Sequence, residues 1–448
     1  MKLFRSVALG LSFLLAVAPA SAQWQTPNHS VPIGLGAGVT GFGSAAPGAS
    51  GGVLTSNGPA ADPSFQALPP PNPIVCGFGL VCGAGGKVTL YGQFWLGDFG
   101  AACNNSTDDS TAFNNAIAAA GAIGGAVKIP LTTCLIASNI SVPTSVGIIK
   151  IEGLNKFQSQ LNFTNNAGFS FTTNIGMIEL RDFTVGCTTA ASCITLGSAT
   201  TGPTESTVER LHFIGGGNEL ELANTGAIRV HDNDFFNCTN QCIHITAPAN
   251  VDGGDSWIDH NFMLNSGVFA GTGIGILQGS GGGWKITNNK INQFSVDYFL
   301  SAQLASHASS AYQIQDNSLE GCGTACILLQ NAGGNGSLLN VVISGNEMGG
   351  GSGSFGIELN ADPGGWVASL NISGNVIDGV NANGGIFLDG ADKFNISGNT
   401  ITDNGTCGTG ITITGNSSRG MVVGNTIVSC TTQVTNVGSV VTAVNNGP

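Results

Sequence analysis

Ile343-Ser344-Gly345-Asn346-Glu347-Met348 is one copy of a phrase that returns through the second half of the chain. An aliphatic residue, two spacers and an asparagine recur as Val230–Asn233, Ile258–Asn261, Ile286–Asn289, Ile314–Asn317, Ile343–Asn346, Ile372–Asn375, Ile396–Asn399 and Val422–Asn425. The steps between asparagines are 28, 28, 28, 29, 29, 24 and 26 residues. Self-similarity at this period marks a stacked repeat, because one unit cannot bury its apolar face alone. The local alternation is of β type, Ile-Ser-Gly-Asn and then an aliphatic residue two places on. Most units then carry a second strand: Cys242–Ile245, Gly273–Ile276, Cys326–Leu329, Gly356–Leu359, Gly385–Leu388 and Gly410–Ile413. Gly and Asn fill the corners, where left-handed backbone is needed. The fold expected is all-β, a single-stranded right-handed parallel β-helix (solenoid). Its ladder should stack Asp182, His212 and the eight asparagines in one line, ~4.8 Å per rung.

Composition narrows the setting. Charged residues are only 9% of 448, and the net charge of −13 with pI near 4.6 argues against nucleic acid as a partner. Residues 1–22 read as a secretory signal: Lys2 and Arg5, an apolar run Val7–Val17, then Ala20-Ser21-Ala22. A secreted or periplasmic protein with no membrane partner is expected, since no later run approaches ~20 apolar residues. Residues 23–90 are rich in Gly, Pro, Ala and Ser and read as a linker or stalk, and residues 91–448 as the β-helix domain.

The β-helix domain opens with Asp98-Phe99-Gly100-Ala101, then Thr107-Asp108-Asp109-Ser110-Thr111. Asp109 or Ser110 is placed to cap an N-terminal helix whose apolar side is Phe113, Ile117 and Ala120. With Ile149-Lys150-Ile151-Glu152-Gly153 and the asparagine repeats, these elements resemble the pectate lyase superfamily, which includes rhamnogalacturonase-like and tailspike-like proteins. Cys103-Asn104-Asn105 departs from that family's Gly-Asp-Gly turn. The resemblance implies a helix covering the first rung and a polysaccharide as partner. It leaves the reaction open, because lyases, hydrolases and non-catalytic spikes share the fold. A shorter stretch, Gly51–Gly58 with Asp62–Phe65, resembles connector repeats of phage tail fibres and keeps a glycan-binding spike, homotrimers included, as the alternative.

Cysteines test the rung register. Cys238 and Cys242 lie 5 and 9 residues after Asn233, as Cys322 and Cys326 do after Asn317. A metal reading of these pairs competes with disulfides, which an oxidising compartment favours. The scheme expected is Cys76–Cys82, Cys103–Cys134, Cys187–Cys193, Cys238–Cys242, Cys322–Cys326 and Cys407–Cys430.

The chain has no Gly-x-Ser-x-Gly elbow, no His-Glu-x-x-His and no phosphate-binding Gly-x-x-x-x-Gly-Lys. No metal or cofactor is assigned, with Ca²⁺ kept open for a lyase; Asp252-Gly253-Gly254-Asp255-Ser256-Trp257 reads as an acidic turn or a Ca²⁺ loop. In enzymes of the resembled family the substrate face is the strand carrying Gly-Ile-x-Leu. Alternation then sends Ile357 and Leu359 inward and Glu358 and Asn360 outward, with Phe387 and Asp389 outward on the next rung. Glu358 and Asp389 are the candidate acid and base, with Asp297 as reserve. Their backbones lie ~8 Å apart by rung geometry, compatible with an inverting glycosidase. His244, Asn360, Trp366 and Phe387 are candidate glycan contacts, the aromatic rings offering apolar faces to sugars.

Overall fold

The computed structural model describes residues 92–446 apart from 143–146, 173–175, 188–191, 248–254, 267–269, 279–280, 303–307, 332–336, 350, 352–354, 362–365, 380–383, 403–406 and 445, together with short strands between Val31 and Leu90. The chain divides into two units, residues 1–75 and 76–448. In the first, Val31–Gly34 pairs antiparallel with Phe42–Ala45, and Gly52–Thr55 with Ser64–Ala67. The second unit opens with an antiparallel pair, Leu80–Cys82 and Val88–Leu90.

From Gln93 onward the second unit is a parallel β-helix, as the repeat predicts. Each rung contributes one strand to each of three parallel sheets, of 14, 12 and 12 strands. The first sheet runs from Gln93–Trp95 to Ser439–Val444, and the second from Thr133–Ile136 to Thr426–Ile427. The third runs from Ile140–Ser141 to Thr432–Asn436. Alternate residues point inward and form one continuous apolar core. The helix Ser110–Gly121 buries Phe113, Ile117 and Ala120 against the first rungs, with Phe113 5.5 Å ring to ring from Phe169. Its cap differs from expectation. Asp108 accepts the Ser110 amide at 3.0 Å, while the Asp109 carboxylate turns away to take the amides of Ala102 at 2.7 Å and Cys103 at 3.1 Å.

The asparagine ladder lies at the corner between the first and second sheets. From Asn261 onward each Oδ1 accepts both the backbone and side-chain N–H of the asparagine one rung earlier, as between Asn289 and Asn317 at 2.9 and 3.1 Å, while Asn233 Oδ1 accepts the Leu211 amide at 2.9 Å. Each Nδ2 also donates to a strand carbonyl below, as Asn317 does to Ile286 at 3.0 Å. These bonds satisfy buried backbone groups that a tight corner would orphan. The aliphatic or aromatic residue two further on, Phe235 through Ile427, is buried at every rung.

Two of the expected ladder positions are corrected. Thr184, His212 and Asp234 are in register, so the residues matching Asn233 are Phe183 and Leu211, both fully buried. Asp182 sits one place early, in the left-handed corner residue (φ 64°), and His212 one place late, facing outward. The first rungs put apolar side chains where later rungs put asparagine, so a polar-residue search slips by one. At the other end the ladder gains Asn446, whose Oδ1 accepts from Asn425 Nδ2 at 2.8 Å. Ala443 holds the aliphatic place of that last copy, opposite Val422.

Five of the expected disulfides are present: Cys103–Cys134, Cys187–Cys193, Cys238–Cys242, Cys322–Cys326 and Cys407–Cys430. The sixth, Cys76–Cys82, falls outside the described side chains.

One inward column at the start of the third sheet carries a rule of its own. It reads Cys193, Glu219, Cys242, Gly273, Asp297, Cys326, Gly356, Gly385, Gly410 from rung to rung. A Cβ on Gly273, Gly356, Gly385 or Gly410 would press within 2.8 Å of the Cγ2 of Ile291, Ile377, Ile401 or Ile427 on the next rung. The corresponding next-rung residues for Glu219, Cys242, Asp297 and Cys326 are Phe235, Met263, Leu319 and Met348, none of them β-branched. A β-branched neighbour therefore excludes a side chain from this column, and an unbranched one leaves room for it.

Candidate functional site

The outward face of the third sheet carries the residues that alternation selects. Ile357, Leu359, Ile386 and Leu388 are buried, while Glu358 and Phe387 face out. Asn360 is paired with Asp389, so Asp389 lies one rung on and two residues along from Glu358. Glu358 stands in register between Leu328 and Phe387, and burial raises its carboxyl above the ordinary value. Phe387 tilts against Phe355, ring centroids 5.2 Å apart. Asp389 has a different setting: its Oδ1 accepts from Asn416 Nδ2 at 2.8 Å and from the Thr414 hydroxyl. One carboxyl is desolvated among apolar groups and the other is held by hydrogen-bond donors.

His244 lies in the same outward column as Glu358, four strands earlier, in register with Glu221 and Gly275. Its Nδ1 is 3.3 Å from Asn218 Nδ2 and 3.9 Å from Glu221, and burial lowers its pKa. Glu221 accepts from the Ser192 hydroxyl at 2.5 Å. Sequence reasoning passed over Glu221, although the alternation Glu219-Leu220-Glu221-Leu222 marks it as outward. Trp366 is 43% exposed but begins a strand of the first sheet, opposite Ser337. It therefore does not share a face with Phe387.

Asp297 is corrected from surface acid to interior group. Strand Val296–Ala302 enters the third sheet through the column described above, so Asp297 and Tyr298 are both buried and Phe299 is the first outward residue. Asp297 Oδ2 is 3.0 Å from Cys322 Sγ, and its Oδ1 has no hydrogen-bond partner. Glu219 repeats the arrangement, 3.1 Å from Cys238 Sγ with Oε1 unpartnered. Burial pushes both carboxyls well above the usual range, with the Glu320 charge adding to the effect at Asp297. Each belongs to a cluster of one carboxylate and two sulfurs, as Asp109 does with Cys103 and Cys134. All these sulfurs are tied in disulfides, which removes the thiolate character a metal ligand needs. Residues 252–254 of the Asp252–Trp257 loop lie outside the described residues.

Cations are unevenly placed. The strands of the third sheet contain no Lys or Arg, and the sequence has none between Lys290 and Lys393. The first sheet instead concentrates them at its N-terminal end, where Glu152 meets Lys128 and Arg181, Arg210 bonds Asp182 at 2.7 Å, and Arg229 meets Asp259 at 3.0 Å.

Residues 304–447 match the family described as a right handed beta helix region. A search of curated proteins finds no match. Among solved structures the chain is similar to PfbA, a surface adhesin of Streptococcus pneumoniae, at 16% identity and TM-score 0.53, over 75% of this chain and 91% of that one. It is similar to a mutant of DFA-IIIase from Arthrobacter chlorophenolicus A6, in complex with DFA-III, at 13% identity and TM-score 0.56, over 78% and 98%. A Yersinia enterocolitica family 28 exopolygalacturonase matches at 10% identity and TM-score 0.51, over 75% and 80%. These likenesses establish the right-handed parallel β-helix fold. No helix among the described residues is long and apolar enough to cross a membrane.

Proposed function

We propose that this chain is an exported, carbohydrate-active β-helix protein, akin to the pectate lyase superfamily, that hydrolyses an uncharged polysaccharide on the outward face of its third sheet. The observation that carries the reading is the pair Glu358 and Asp389, one rung and two residues apart, the first desolvated and raised above the ordinary carboxylate value, the second held by the hydrogen-bond donors Asn416 and Thr414. A desolvated carboxyl keeps its proton to higher pH and suits a general acid. Glu358 gives that proton to the glycosidic oxygen as the bond to the anomeric carbon breaks. Asp389, its Oδ1 fixed by Asn416 and Thr414, takes a proton from the attacking water through Oδ2. Backbones ~8 Å apart leave room for that water, so the product has inverted configuration. Phe355 and Phe387 supply an apolar platform beside the acid. β-Elimination from a polyuronate needs cationic groups to hold the carboxylates and a base to take the ring proton; the long cation-free stretch disfavours it.

Incubation with neutral and uronic-acid polysaccharides tests the reading. New reducing ends without an ultraviolet-absorbing unsaturated product support hydrolysis, and an unsaturated product refutes it. Glu358→Gln and Asp389→Asn should each lower the rate by at least about a hundredfold with the fold intact. Wild-type rates in either variant would remove the pair. Binding without cleavage would favour the alternative of a glycan-binding spike, for which the expected stalk at residues 23–90 speaks.

A further inference from the structure

We infer a second carbohydrate-binding site, for a neutral sugar unit, on the second sheet near the N-terminal end of the solenoid. From Asp182 onward each corner between the first and second sheets is two residues long. One rung earlier, residues 154–159 make a longer corner between strands Ile148–Gly153 and Gln160–Phe163. This insertion is built rather than loose. Asn155 Oδ1 accepts the amides of Phe157 at 3.0 Å and Gln158 at 3.2 Å, and the Ser159 hydroxyl holds Leu154 N at 2.9 Å. It reaches across three further rungs: Thr184 Oγ1 donates to Lys156 O at 2.7 Å, and Lys156 Nζ meets Asp234 at 2.7 Å and the Asp232 carbonyl at 3.2 Å.

All this fixing presents one apolar ring to solvent. Phe157 is 57% exposed and stands edge-on to His212, ring centroids 5.2 Å apart, with Phe236 5.2 Å beyond His212. Beside it lies a cavity of about 340 Å³ lined by Asn105, Thr133, Gln160, Asn162, Thr184 and Ile214 among others. Gln160 joins the two features, its Nε2 donating to the Phe157 carbonyl at 2.8 Å while its Oε1 accepts from Thr133 at 2.9 Å. Asn162 donates to Asn105 Oδ1 at 3.0 Å, and the Cys103–Cys134 disulfide with the Asn105 N–Thr133 O bond at 3.0 Å clamps the far wall.

The lining selects the ligand class. It offers amides and hydroxyls in fixed orientation, an aliphatic wall and an adjoining aromatic ring, and no charged side chain. A sugar presents hydroxyls around its edge and C–H groups on its face, which matches donors and acceptors below and a ring beside. Phosphate, sulfate or uronate groups would find no free cation there: Lys156 Nζ, 5.7 Å from the Phe157 ring centroid, is paired with Asp234. The volume is at the small end of ligand pockets, room for a short piece of chain. This site stands on its own geometry and does not depend on Glu358 or Asp389.

Hydrogen exchange of the full chain, with xylohexaose, cellohexaose, mannohexaose, maltohexaose or hexagalacturonate, tests it. The expected result is protection of residues 101–109 and 154–163 by at least one neutral hexasaccharide and by none of the uronate. Phe157→Ala, at an exposed position, should weaken binding of that sugar about tenfold at this segment, and Asn162→Asp should weaken it as well, while Glu358→Gln leaves it unchanged. Lack of protection by every neutral sugar, or undiminished binding by Phe157→Ala, overturns the inference. Protection confined to residues 355–361 and 384–389 would discard this site while keeping the hydrolytic face; the reverse pattern would keep this site and discard that face.

Discussion

The two ends of the solenoid solve the same stacking problem with different chemistry. Toward the N-terminus the corner residue before the ladder is Asp182, Arg210, Asp232 or His260, the first ladder places are Phe183 and Leu211, and the first sheet faces solvent with interlocked ions. Toward the C-terminus the corner is Gly345, Gly374, Gly398 and Gly424, the ladder is asparagine throughout, and the first sheet's outward face carries Ser344, Asn371, Ser373, Asn395 and Ser397. Among the described residues beyond Glu320, Arg419 with Asp392 is the one ion pair. The inward column repeats the contrast, with Cys and buried acids interrupted by Gly273 as far as Cys326, and glycine alone from Gly356 to Gly410. Rung geometry fixes only the backbone; which groups cross-link the rungs is open, and ions, disulfides and amides all serve.

The largest effect should come from removing a rung of the amide ladder. Asn317→Ala takes a partner from the Asn289 backbone and side-chain amides, the Tyr298 hydroxyl and the Ile286 carbonyl, costing on the order of 4 kcal/mol or more at ~1–3 kcal/mol per orphaned group. Asn317→Leu, which installs the early region's solution in the late region, should cost a similar amount, because the same groups stay orphaned. Denaturant unfolding measures this; a loss below about 1 kcal/mol would mean that the ladder is decoration.

The next effect separates the two regions by pH. Glu152, Asp234 and Asp259 are held below the ordinary carboxylate range, although burial is the largest influence on each and acts upward: Lys128 and Arg181 outweigh it at Glu152, His212 and Lys156 at Asp234, and Arg229 and His260 at Asp259. Their stabilisation is present above the unfolded pKa and is lost as pH falls through the folded values. Glu219 and Asp297 are raised by burial, so their contribution is complete below the ordinary carboxylate pKa and is lost as pH rises through the folded values. The early rungs should therefore show a stability maximum between these limits, and strands 366–373 a flatter profile by hydrogen exchange. Glu219→Gln should remove the Glu219 share of that fall and leave the Asp297 share; an unchanged profile in that variant would assign the fall elsewhere.

The smallest effect tests the corners. A Cβ on Gly398 meets nothing within 4 Å, yet its φ is 64°, so Gly398→Ala isolates the left-handed penalty at about 1 kcal/mol. The early corners carry that penalty already, partly offset by bonds such as Arg210 to Asp182.

The repeat was legible because asparagine, aliphatic and glycine each answer a backbone demand at a fixed place in the rung. The pairs Cys238–Cys242, Cys322–Cys326 and Cys407–Cys430 were legible for the same reason, since register places their sulfurs. The first ladder positions were not, because Phe183 and Leu211 are apolar among apolar neighbours and the polar residues beside them mimic the pattern. Asp297 misled because period two fails at the strand's entry, where Asp297 and Tyr298 both turn inward. The Glu358 and Asp389 register followed from aligning Ile357 with Ile386. The wall carrying Phe157 did not, since nothing in its six residues announces that they bridge onto Asp232 and Asp234.

A corner of constant length has a consequence for how the molecule can change size. Rung steps differ from 21 to 29 residues, yet from Asp182 onward the corner between the first and second sheets never lengthens, so the variation falls in the strands and the other two bends. The asparagine edge is thus a spine graduated in units of ~4.8 Å, and the other two edges are where cargo can be hung. Duplication or loss of a cassette cut at equivalent corner residues, Gly345 to Gly374 for instance, would alter reach in whole graduations while returning every remaining side chain to its former azimuth.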